Sequence, residues 1–387
     1  MLPRTIFSEE HELFRSNVRR FVDVEIVPFH RQWERDGIVP RAVWRKAGEQ
    51  GLLCANVPAA YGGAGADWLF NVVVIEELWR AGVSGPGSGF MVHSEMVASY
   101  LLSYGSEEVK QRFLPKMVSG EMIGAIAMTE PDAGSDLKSL RTKADRTADG
   151  YRITGQKIYI SNGFNADLIV VATKTDPAAG AKGVSLIVIE TDQPGFKRGR
   201  LLEKVGLHAQ DTAELFFDNV QAPRANLLGE EGAGFGILMS KLCQERLVQA
   251  IRSASAIDAI IQWTIDYTRE RKAFGKTIAD FQNTQFKLAE LSAEAAGLRV
   301  FVDRSIEAFL DGKLSSVDAA KVRLVASNLH FRAADECLQF FGGSGYTFEL
   351  PIARAFVDAR VSKIAGGAVE VMKQIIGRDL FAGKLAH

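Results

Sequence analysis

The stretch "YRITGQKIYISNGFNADLIVVATKTD" (residues 151–176) decides the fold, because it places β-rich sequence in the middle of a chain that is otherwise helical in its periodicity. Similar short runs follow in "KGVSLIVIETD" (182–192) and "AELFFDNVQAP" (213–223). Turns rich in Gly, Asn, Asp and Pro separate the runs, and no helical pattern lies between them. Strands at this spacing predict a small β-sandwich or β-barrel between residues 121 and 230.

The regions on either side have the helical period of about 3.6 residues. Before residue 120, three periodic segments begin at Ser8, Asp67 and Ser106, which are residue types that cap helix N-termini. After Gly232, long amphipathic segments alternate with short turns, as in an antiparallel helix bundle. We therefore predict a mostly α protein with an N-terminal helical domain (1–120), a middle β domain (121–230) and a C-terminal helix bundle (231–387). A doubly wound nucleotide-binding fold would alternate strands and helices instead.

Composition excludes several classes of function. The 387 residues include 46 Lys and Arg against 47 Asp and Glu, and no basic block suggests a nucleic-acid partner. No apolar run approaches the roughly 20 residues of a membrane-spanning helix, and the N-terminus lacks the apolar core of a signal peptide. Three widely separated cysteines predict reduced thiols and a cytoplasmic location. The six histidines are scattered, so we expect no metal site.

The helical segment "SKLCQERLVQAI" (240–251) carries two charged residues among mostly apolar or small ones. At about 100° per residue, Arg246 projects near the centre of an apolar arc and Glu245 lies at its edge. Glu245 can form an ion pair with Lys241, one turn earlier, on a solvated face. Alternatively, it is a partly desolvated carboxylate whose raised pKa suits a general base. The helix alone favours the ion pair.

Other segments carry groups that suit a polar ligand. The loop "AMTEPDAGSD" (127–136) can present backbone N–H groups and hydroxyls. Tyr159 and Ser161 are two residues apart, so they point to the same side of a strand. "RERKAFGK" (269–276) clusters cations that can bind a pyrophosphate or cap a helix. "LQFFGGSGYTFELP" (338–351) and "IAGGAVEVMK" (364–373) place glycines beside helix ends. For each segment the alternative is an ordinary loop, strand or cap.

In this order along nearly the whole chain, the motifs resemble the acyl-CoA dehydrogenase family. The matching segments are "AMTEPDAGSD", "KIYISNG", "AQDTAELFFDNVQAP", "LLGEEGAGF", "ERKAFGK", "FQNTQFKLAE", "LQFFGGSGY" and "GGAVE". Three further segments, "VSGPGSGFMVHS", "GAIAMTEP" and "LHAQDTAELFF", are most similar to the long-chain subgroup and next to the isovaleryl subgroup. The resemblance implies an N-terminal helical domain, a middle β-barrel or sandwich, and a C-terminal four-helix bundle.

The resemblance also implies the activity. Members of the family bind FAD noncovalently and oxidise acyl-CoA thioesters to trans-2-enoyl-CoA. A carboxylate removes the α proton while flavin N5 accepts hydride from the β carbon. Electrons then pass to an electron-transferring flavoprotein. Most members are homotetramers, and some are dimers. For this chain we expect a medium-chain, long-chain or branched acyl-CoA substrate.

The position of the base separates subgroups of the family. Many members carry it in a turn near the C-terminus, but the matching residue here is Gly366. In long-chain and isovaleryl members it lies on a helix with the pattern Leu-x-x-Glu-Arg-Leu. The resemblance therefore assigns Glu245 as the base, against the preference of the helix alone. The residues that it places near the substrate are Ser135, Leu242, Arg246, Gly366 and Gly367.

The same resemblance implies a cofactor site. The FAD-binding residues implied within one subunit are Met128, Thr129, Ser135, Tyr159, Ser161, Ala368 and Glu370. Those implied to reach the FAD of a neighbouring subunit are Arg271, Phe274, Gln282, Gln339 and Gly343. The chain departs from the family pattern at Ala368, where a threonine is common, and at Ala365, where an aromatic residue is usual.

Three other functions fit the same fold. An acyl-CoA oxidase would use oxygen as acceptor, but its base usually lies in the C-terminal turn, so Gly366 counts against it. A flavin monooxygenase needs no base at the α carbon, which would leave Glu245 without a purpose. A non-catalytic protein that binds FAD or acyl-CoA is the third alternative, suggested by the losses at Gly366 and Ala368.

Overall fold

The computed structural model describes residues 3–382 and begins with a helical region. Its α-helices are α1 (Glu9–Phe21), α2 (Val27–Asp36), α3 (Arg41–Glu49), α4 (Trp68–Arg80), α5 (Ser84–Met91), α6 (Ala98–Tyr104) and α7 (Glu107–Val118). The capping predictions are confirmed: Ser8 precedes α1, Asp67 accepts the Leu69 N–H, and Ser106 accepts the Val109 N–H. A π-helical turn, Val92–Val97, joins α5 to α6 in one nearly continuous helical segment.

The middle region is one sheet of eight strands. The strands are β1 (Gly124–Ala127), β2 (Lys143–Arg146), β3 (Gly150–Ser161), β4 (Leu168–Lys174), β5 (Val184–Glu190), β6 (Phe196–Leu201), β7 (Thr212–Pro223) and β8 (Leu227–Leu228). Their order is β6-β7-β3-β2-β4-β5-β8, with β1 also paired to β4. β1 and β2 run parallel to β4, and the remaining pairs are antiparallel.

The two faces of this sheet bury different cores. On β4, Leu168 and Val170 belong to the large core shared with the helices, whereas Ile169 and Val171 belong to a second core. That second core contains residues of β1 to β7, so the sheet curls around its own interior. Because both faces of β4 are covered, its first five residues, 168–172, are continuously apolar rather than alternating.

The C-terminal region returns to helices. They are α8 (Gly234–Glu270), α9 (Gln282–Leu310), α10 (Ser316–Phe341), α11 (Pro351–Ala359) and α12 (Val369–Phe381). A hairpin of β9 (Lys272–Ala273) and β10 (Lys276–Thr277) connects α8 to α9. With 37 residues, α8 is about 55 Å long, and it packs against α10, α9 and also α4 of the first region. The predicted mostly α fold with a β middle region is confirmed.

No helix between residues 3 and 382 is long and apolar enough to span a membrane. Over the same residues, no group of three or more His, Cys, Asp or Glu side chains lies close enough to hold a metal ion. One of the six histidines of the sequence, His387, lies outside the described residues.

Candidate active site

Glu245 is buried in the middle of the molecule. Its carboxylate accepts a 2.9 Å hydrogen bond from the Tyr100 hydroxyl on α6, and the residue is 3% exposed. Lys241 turns away and donates a 2.7 Å hydrogen bond to Ser103 Oγ. Among residues 3–382, no ion pair includes Glu245. The solvated Glu245–Lys241 pair that the helix alone favoured is therefore wrong.

Burial changes the acidity of this carboxyl group. Desolvation raises the pKa of Glu245 to about 7, and the Tyr100 hydrogen bond and the nearby Arg246, Arg323 and Lys241 charges offset only part of that increase. A carboxyl group with a pKa near neutral is both available as carboxylate and basic enough to accept a proton at physiological pH. The geometry and the acidity of Glu245 therefore suit a general base.

The turn that contains Gly366 lies over the same face of α8. Gly366 and Gly367 adopt positive φ values of +69° and +96°, which glycine tolerates without strain. A Cβ atom on Gly366 would lie 3.7 Å from the side chain of Gln249, one helical turn after Glu245. Gln249 Oε1 is buried without a hydrogen-bond partner within the described residues. The structure thus brings together the helix of the predicted base and the predicted substrate-binding turn.

Arg323 on α10 holds this turn in place. The residue is fully buried, and its guanidinium donates hydrogen bonds to the carbonyl groups of Ser362, Ala365 and Gly367. Burial and the Arg246 charge lower the pKa of Arg323 to about 10, while the Glu245 charge acts in the opposite direction. Sequence reasoning missed Arg323. An arginine in the apolar pattern of "KVRLVASNLH" (321–330) was the available signal.

Leu242 and Arg246 flank Glu245 on α8 with different environments. Leu242 is half-buried one turn earlier. Arg246 is 4% exposed, and its Nη1 lies 3.3 Å from the Ser316 carbonyl oxygen. No carboxylate forms an ion pair with Arg246 within residues 3–382, and burial lowers its pKa. Its charge is therefore free to face an anionic or strongly polar ligand group.

The predicted flavin-binding segments of the middle region lie side by side. The Lys157 ammonium donates to the Met128 carbonyl at 2.9 Å, and the Ile158 N–H donates to the Thr129 carbonyl at 3.0 Å. Tyr159 departs from the expected regular strand, because it has φ +62° within a β-bulge. The bulge leaves the Tyr159 ring 65% exposed.

The remaining residues predicted to bind FAD within one subunit lie at separate positions. Ser161, at the end of β3, is half-buried, and Ser135 is exposed in the loop after β1. Ala368 is the N-cap of α12 and makes no side-chain cap hydrogen bond, as expected for a residue without a hydroxyl. Glu370 is exposed in the first turn of the same helix.

The residues predicted to reach a neighbouring subunit cluster at the far end of the bundle. The Tyr267 ring, near the end of α8, stacks on Phe341 at the end of α10 with centroids 4.2 Å apart. This contact brings the predicted residues that follow α8 and those at the end of α10 to one end of the molecule. All five are exposed: Arg271, Phe274, Gln282, Gln339 and Gly343.

This end is remote from Glu245. Arg271 follows Glu245 by 26 residues along α8, which corresponds to about 39 Å. Within one chain, the structure does not bring these five residues to the candidate base. Sequence reasoning also missed Tyr100, whose only signal was a tyrosine in an otherwise small and apolar helical segment.

Comparisons with known proteins match this architecture. Family models for the N-terminal, middle and C-terminal domains of acyl-CoA dehydrogenase match residues 8–121, 125–220 and 232–381. The long-chain specific acyl-CoA dehydrogenase of Rattus norvegicus is 45% identical over 379 residues, which are 97% of this chain and 88% of that protein. The isovaleryl-CoA dehydrogenase of Oryza sativa is 36% identical over 378 residues, which are 97% of this chain and 92% of that protein.

A solved structure agrees with the sequence comparisons. The acyl-CoA dehydrogenase from Geobacillus kaustophilus superposes with a TM-score of 0.95 at 49% identity, covering 98% of this chain and 100% of the other. The resemblance inferred from the motifs, including the long-chain and isovaleryl patterns, is confirmed. The chain belongs to the acyl-CoA dehydrogenase family and is an oxidoreductase of the acyl-CoA dehydrogenase type.

Proposed function

We propose that this protein dehydrogenates a medium-chain, long-chain or branched acyl-CoA thioester to the trans-2-enoyl-CoA, with Glu245 as the base. One observation carries the proposal. Glu245 is buried, unpaired by any cation within residues 3–382, and lies one helical turn from Gln249, which a Cβ atom on residue 366 would meet at 3.7 Å. The space left by the missing side chain at Gly366 allows the α carbon to approach a base on α8.

Removing the α proton requires a polarised thioester carbonyl, since the proton is otherwise too weakly acidic for a carboxylate. Backbone N–H groups of the 364–367 turn are the donors that the family resemblance suggests. Arg323 supports this role, because it binds the carbonyl groups of Ala365 and Gly367 in that turn and of Ser362 just before it, and so orients the peptide units between them. Glu245 itself is supported by Tyr100, whose hydroxyl fixes the carboxylate and leaves its second oxygen free.

The residues present fit FAD, which the family implies. When bound, FAD supplies the hydride acceptor. The exposed Tyr159 ring offers an apolar face for a planar ring system, and the neighbouring Thr129 and Ser161 hydroxyls offer hydrogen bonds to its polar edge. The uncapped N-terminus of α12 presents free N–H groups to polar or anionic ligand groups.

A complete site needs a second copy of the chain. Arg271, at the end of α8, lies about 39 Å from Glu245 along that helix. Phe274, 95% exposed at the tip of the β9–β10 hairpin, is suited to reach another subunit. We propose a homotetramer, or a dimer, in which this end completes the cofactor site of a neighbour.

An electron-transferring flavoprotein is the proposed electron acceptor. A chain in a structure of the electron transferring flavoprotein of Acidaminococcus fermentans is 32% identical to this one and superposes with a TM-score of 0.93. Reoxidation by oxygen, as in acyl-CoA oxidases, is the competing outcome. A dehydrogenase and an oxidase differ in whether the reduced flavin persists in air.

The test uses the purified protein with its bound flavin. Under anaerobic conditions, addition of acyl-CoAs of increasing length and branching should bleach the flavin absorbance and form the enoyl-CoA. Glu245→Gln should retain the flavin but lose bleaching, whereas Asp266→Asn, at an exposed carboxylate on the same helix, should behave as wild type.

A specific experimental result would contradict each part of the proposal. If no thioester bleaches the wild-type flavin, the proposed activity fails. If Glu245→Gln bleaches at the wild-type rate, another residue is the base. Peroxide formation in air at a rate matching dehydrogenation would identify an oxidase.

A further inference from the structure

The guanidinium group of Arg323 carries a buried charge that no carboxylate neutralises directly. Within residues 3–382, no ion pair includes Arg323, and its Nε has no hydrogen-bond partner. The acceptors of its other N–H groups are the carbonyl oxygens of Ser362, Ala365 and Gly367. A neutral amide side chain could bind carbonyl oxygens at a much smaller cost of desolvation. Holding the turn in place therefore does not by itself account for a charged residue.

Two of the four backbone N–H groups in the 364–367 turn already have an acceptor, since both donate to the Val361 carbonyl at 2.9 Å. The other two, on Gly366 and Gly367, donate to no carbonyl group in the described part of the chain. These two N–H groups are therefore available to a ligand.

Arg323 acts directly on one of these two groups. The N–H of Gly366 and the carbonyl of Ala365 belong to the same peptide group, and the Arg323 guanidinium donates to that carbonyl oxygen. The peptide bond is trans, so its C=O and N–H point in opposite directions. The Gly366 N–H thus points away from the cation, which withdraws electron density through the peptide group. Hydrogen bonds linked in this way polarise one another, so the N–H becomes a stronger donor.

The charge of Arg323 also influences the proposed base, in the opposite direction. Desolvation raises the pKa of Glu245, and the Arg323 charge offsets part of that increase. Removing the charge would make Glu245 a stronger base, so this effect alone would not slow proton removal once the carboxylate is ionised. Removing it would also weaken donation by the Gly366 N–H. Because the two effects have opposite signs, kinetics can separate them.

We propose that Arg323 is a positioning residue whose positive charge activates the thioester through the peptide group of Ala365 and Gly366. The inference rests on the proposed dehydrogenation. Negative charge develops on the thioester oxygen as the α proton leaves, and a donor aimed at that oxygen stabilises the transition state. Arg323 strengthens this donor without touching the substrate. The role requires a cation, whereas a scaffold for the turn requires only a hydrogen-bond donor of similar size.

The test observes the thioester carbonyl in a complex that does not react. The ligand is trans-2-octenoyl-CoA labelled with carbon-13 at the thioester carbonyl, bound to the flavin-containing protein. Isotope-edited infrared spectroscopy then gives the carbonyl stretching frequency. Binding to wild type should lower this frequency relative to the free ligand. Arg323→Gln should reverse most of that decrease, whereas Arg323→Lys, which keeps a cation, should retain most of it.

A matched control removes another arginine that binds a backbone carbonyl. Arg198, in the middle region, donates to the Ala166 carbonyl at 2.7 Å. Arg198→Gln should leave the carbonyl frequency of the bound ligand at the wild-type value.

Turnover provides a second measurement. Arg323→Gln should lower kcat and kcat/KM together by about 10- to 100-fold, because it weakens an interaction that matters mainly in the transition state. The comparison is made at a pH where Glu245 is ionised in both proteins. Arg323→Lys should lose less activity than Arg323→Gln.

Several results would overturn the proposal. One is an unchanged carbonyl frequency in Arg323→Gln, and another is an equal loss in Arg323→Gln and Arg323→Lys. If Arg323→Gln does not fold, the proposal fails when wild type does not lower the frequency, or when Arg323→Lys gives the frequency of the free ligand. The infrared measurement involves neither turnover nor the base. Absence of wild-type turnover with every acyl-CoA would instead reject the proposed dehydrogenation.

Discussion

Glu76 on α4 and Glu245 on α8 are both almost completely buried, yet their pKa values are shifted in opposite directions from the usual glutamate value. Burial alone would raise the pKa of Glu76, but Arg299, Arg4 and Arg15 outweigh it and hold that pKa below its usual range. Their guanidinium groups lie 2.8 to 3.2 Å from its carboxylate. Glu245 has only the neutral Tyr100 hydroxyl as a direct partner, and its pKa rises to about 7.

The difference shows which buried carboxylates are suited to chemistry. Direct cation partners stabilise the charged form, so Glu76 is a weak base that links α1, α4 and α9. Without such partners, Glu245 remains a stronger base at the cost of stability. The comparison predicts opposite effects of the same substitution at the two positions.

The largest effect on stability should follow from Glu76→Gln. Removing one partner of a buried ion pair costs about 3–5 kcal/mol, and we expect the lower end because each arginine keeps another carboxylate. Those carboxylates are Asp303, Glu77 and Asp258. Urea unfolding followed by tryptophan fluorescence measures the loss.

The pH dependence of this effect has a definite sign. Since the folded pKa of Glu76 is depressed, its contribution is present above the ordinary glutamate pKa of about 4.3 and is lost as pH falls through the folded value. Glu12→Gln is the control: the Glu12 side chain is 56% exposed in its pair with Arg15, so the change should alter stability by less than about 1 kcal/mol. Equal stability of Glu76→Gln and wild type at pH 8 would contradict the comparison.

Tyr100→Phe should raise the pKa of Glu245, the proposed base. A hydrogen bond to a charged group contributes about 1.5–3 kcal/mol, so its loss should raise the pKa of Glu245 by about 1–2 units. Because the base acts as the carboxylate, the acidic limb of the kcat/KM profile should move to higher pH. Tyr104→Phe, which loses only a bond to Ser240, should leave that limb in place.

Glu245→Gln should stabilise the protein at alkaline pH, opposite to Glu76→Gln. The folded pKa of Glu245 is raised, so protonation stabilises the protein fully below about pH 4.3, and this contribution is lost as pH rises through about 7. Glutamine stays neutral, and we expect a gain of about 1–3 kcal/mol at pH 8 that disappears near pH 4. A thermal unfolding series against pH measures it. If Glu245→Gln were less stable than wild type at pH 8, burial of the Glu245 carboxylate would not be destabilising.

The smallest effect should come from Lys241→Gln. Lys241 donates to Ser103, and its charge only assists the Glu245 carboxylate from a distance. We expect the acidic limb of kcat/KM to move by less than about half a unit, since partly exposed charges are screened. A shift as large as that of Tyr100→Phe would restore the Glu245–Lys241 pair that local helix periodicity suggested.

The elements predicted best from sequence are those with strong local patterns. The caps at Ser8, Asp67 and Ser106 and the apolar runs of β3, β4, β5 and β7 appear as expected. Six strands were missed, β1, β2, β6, β8, β9 and β10, because they are short or, like "FKRGRL" (196–201), half charged. The bulge at Tyr159 was also missed, since a positive φ at a tyrosine has no local sequence signal.

By itself, the sequence determined the three-region architecture and, through its ordered motifs, the family. Periodicity and capping involve residues only a few positions apart, so both can be recognised from the sequence alone. The environment of Glu245 depends on Tyr100, 145 residues earlier, and on a turn held by Arg323. Only the packing of α6, α8 and α10 decided that this carboxylate is desolvated and unpaired, because both properties arise from neighbours that are distant along the chain.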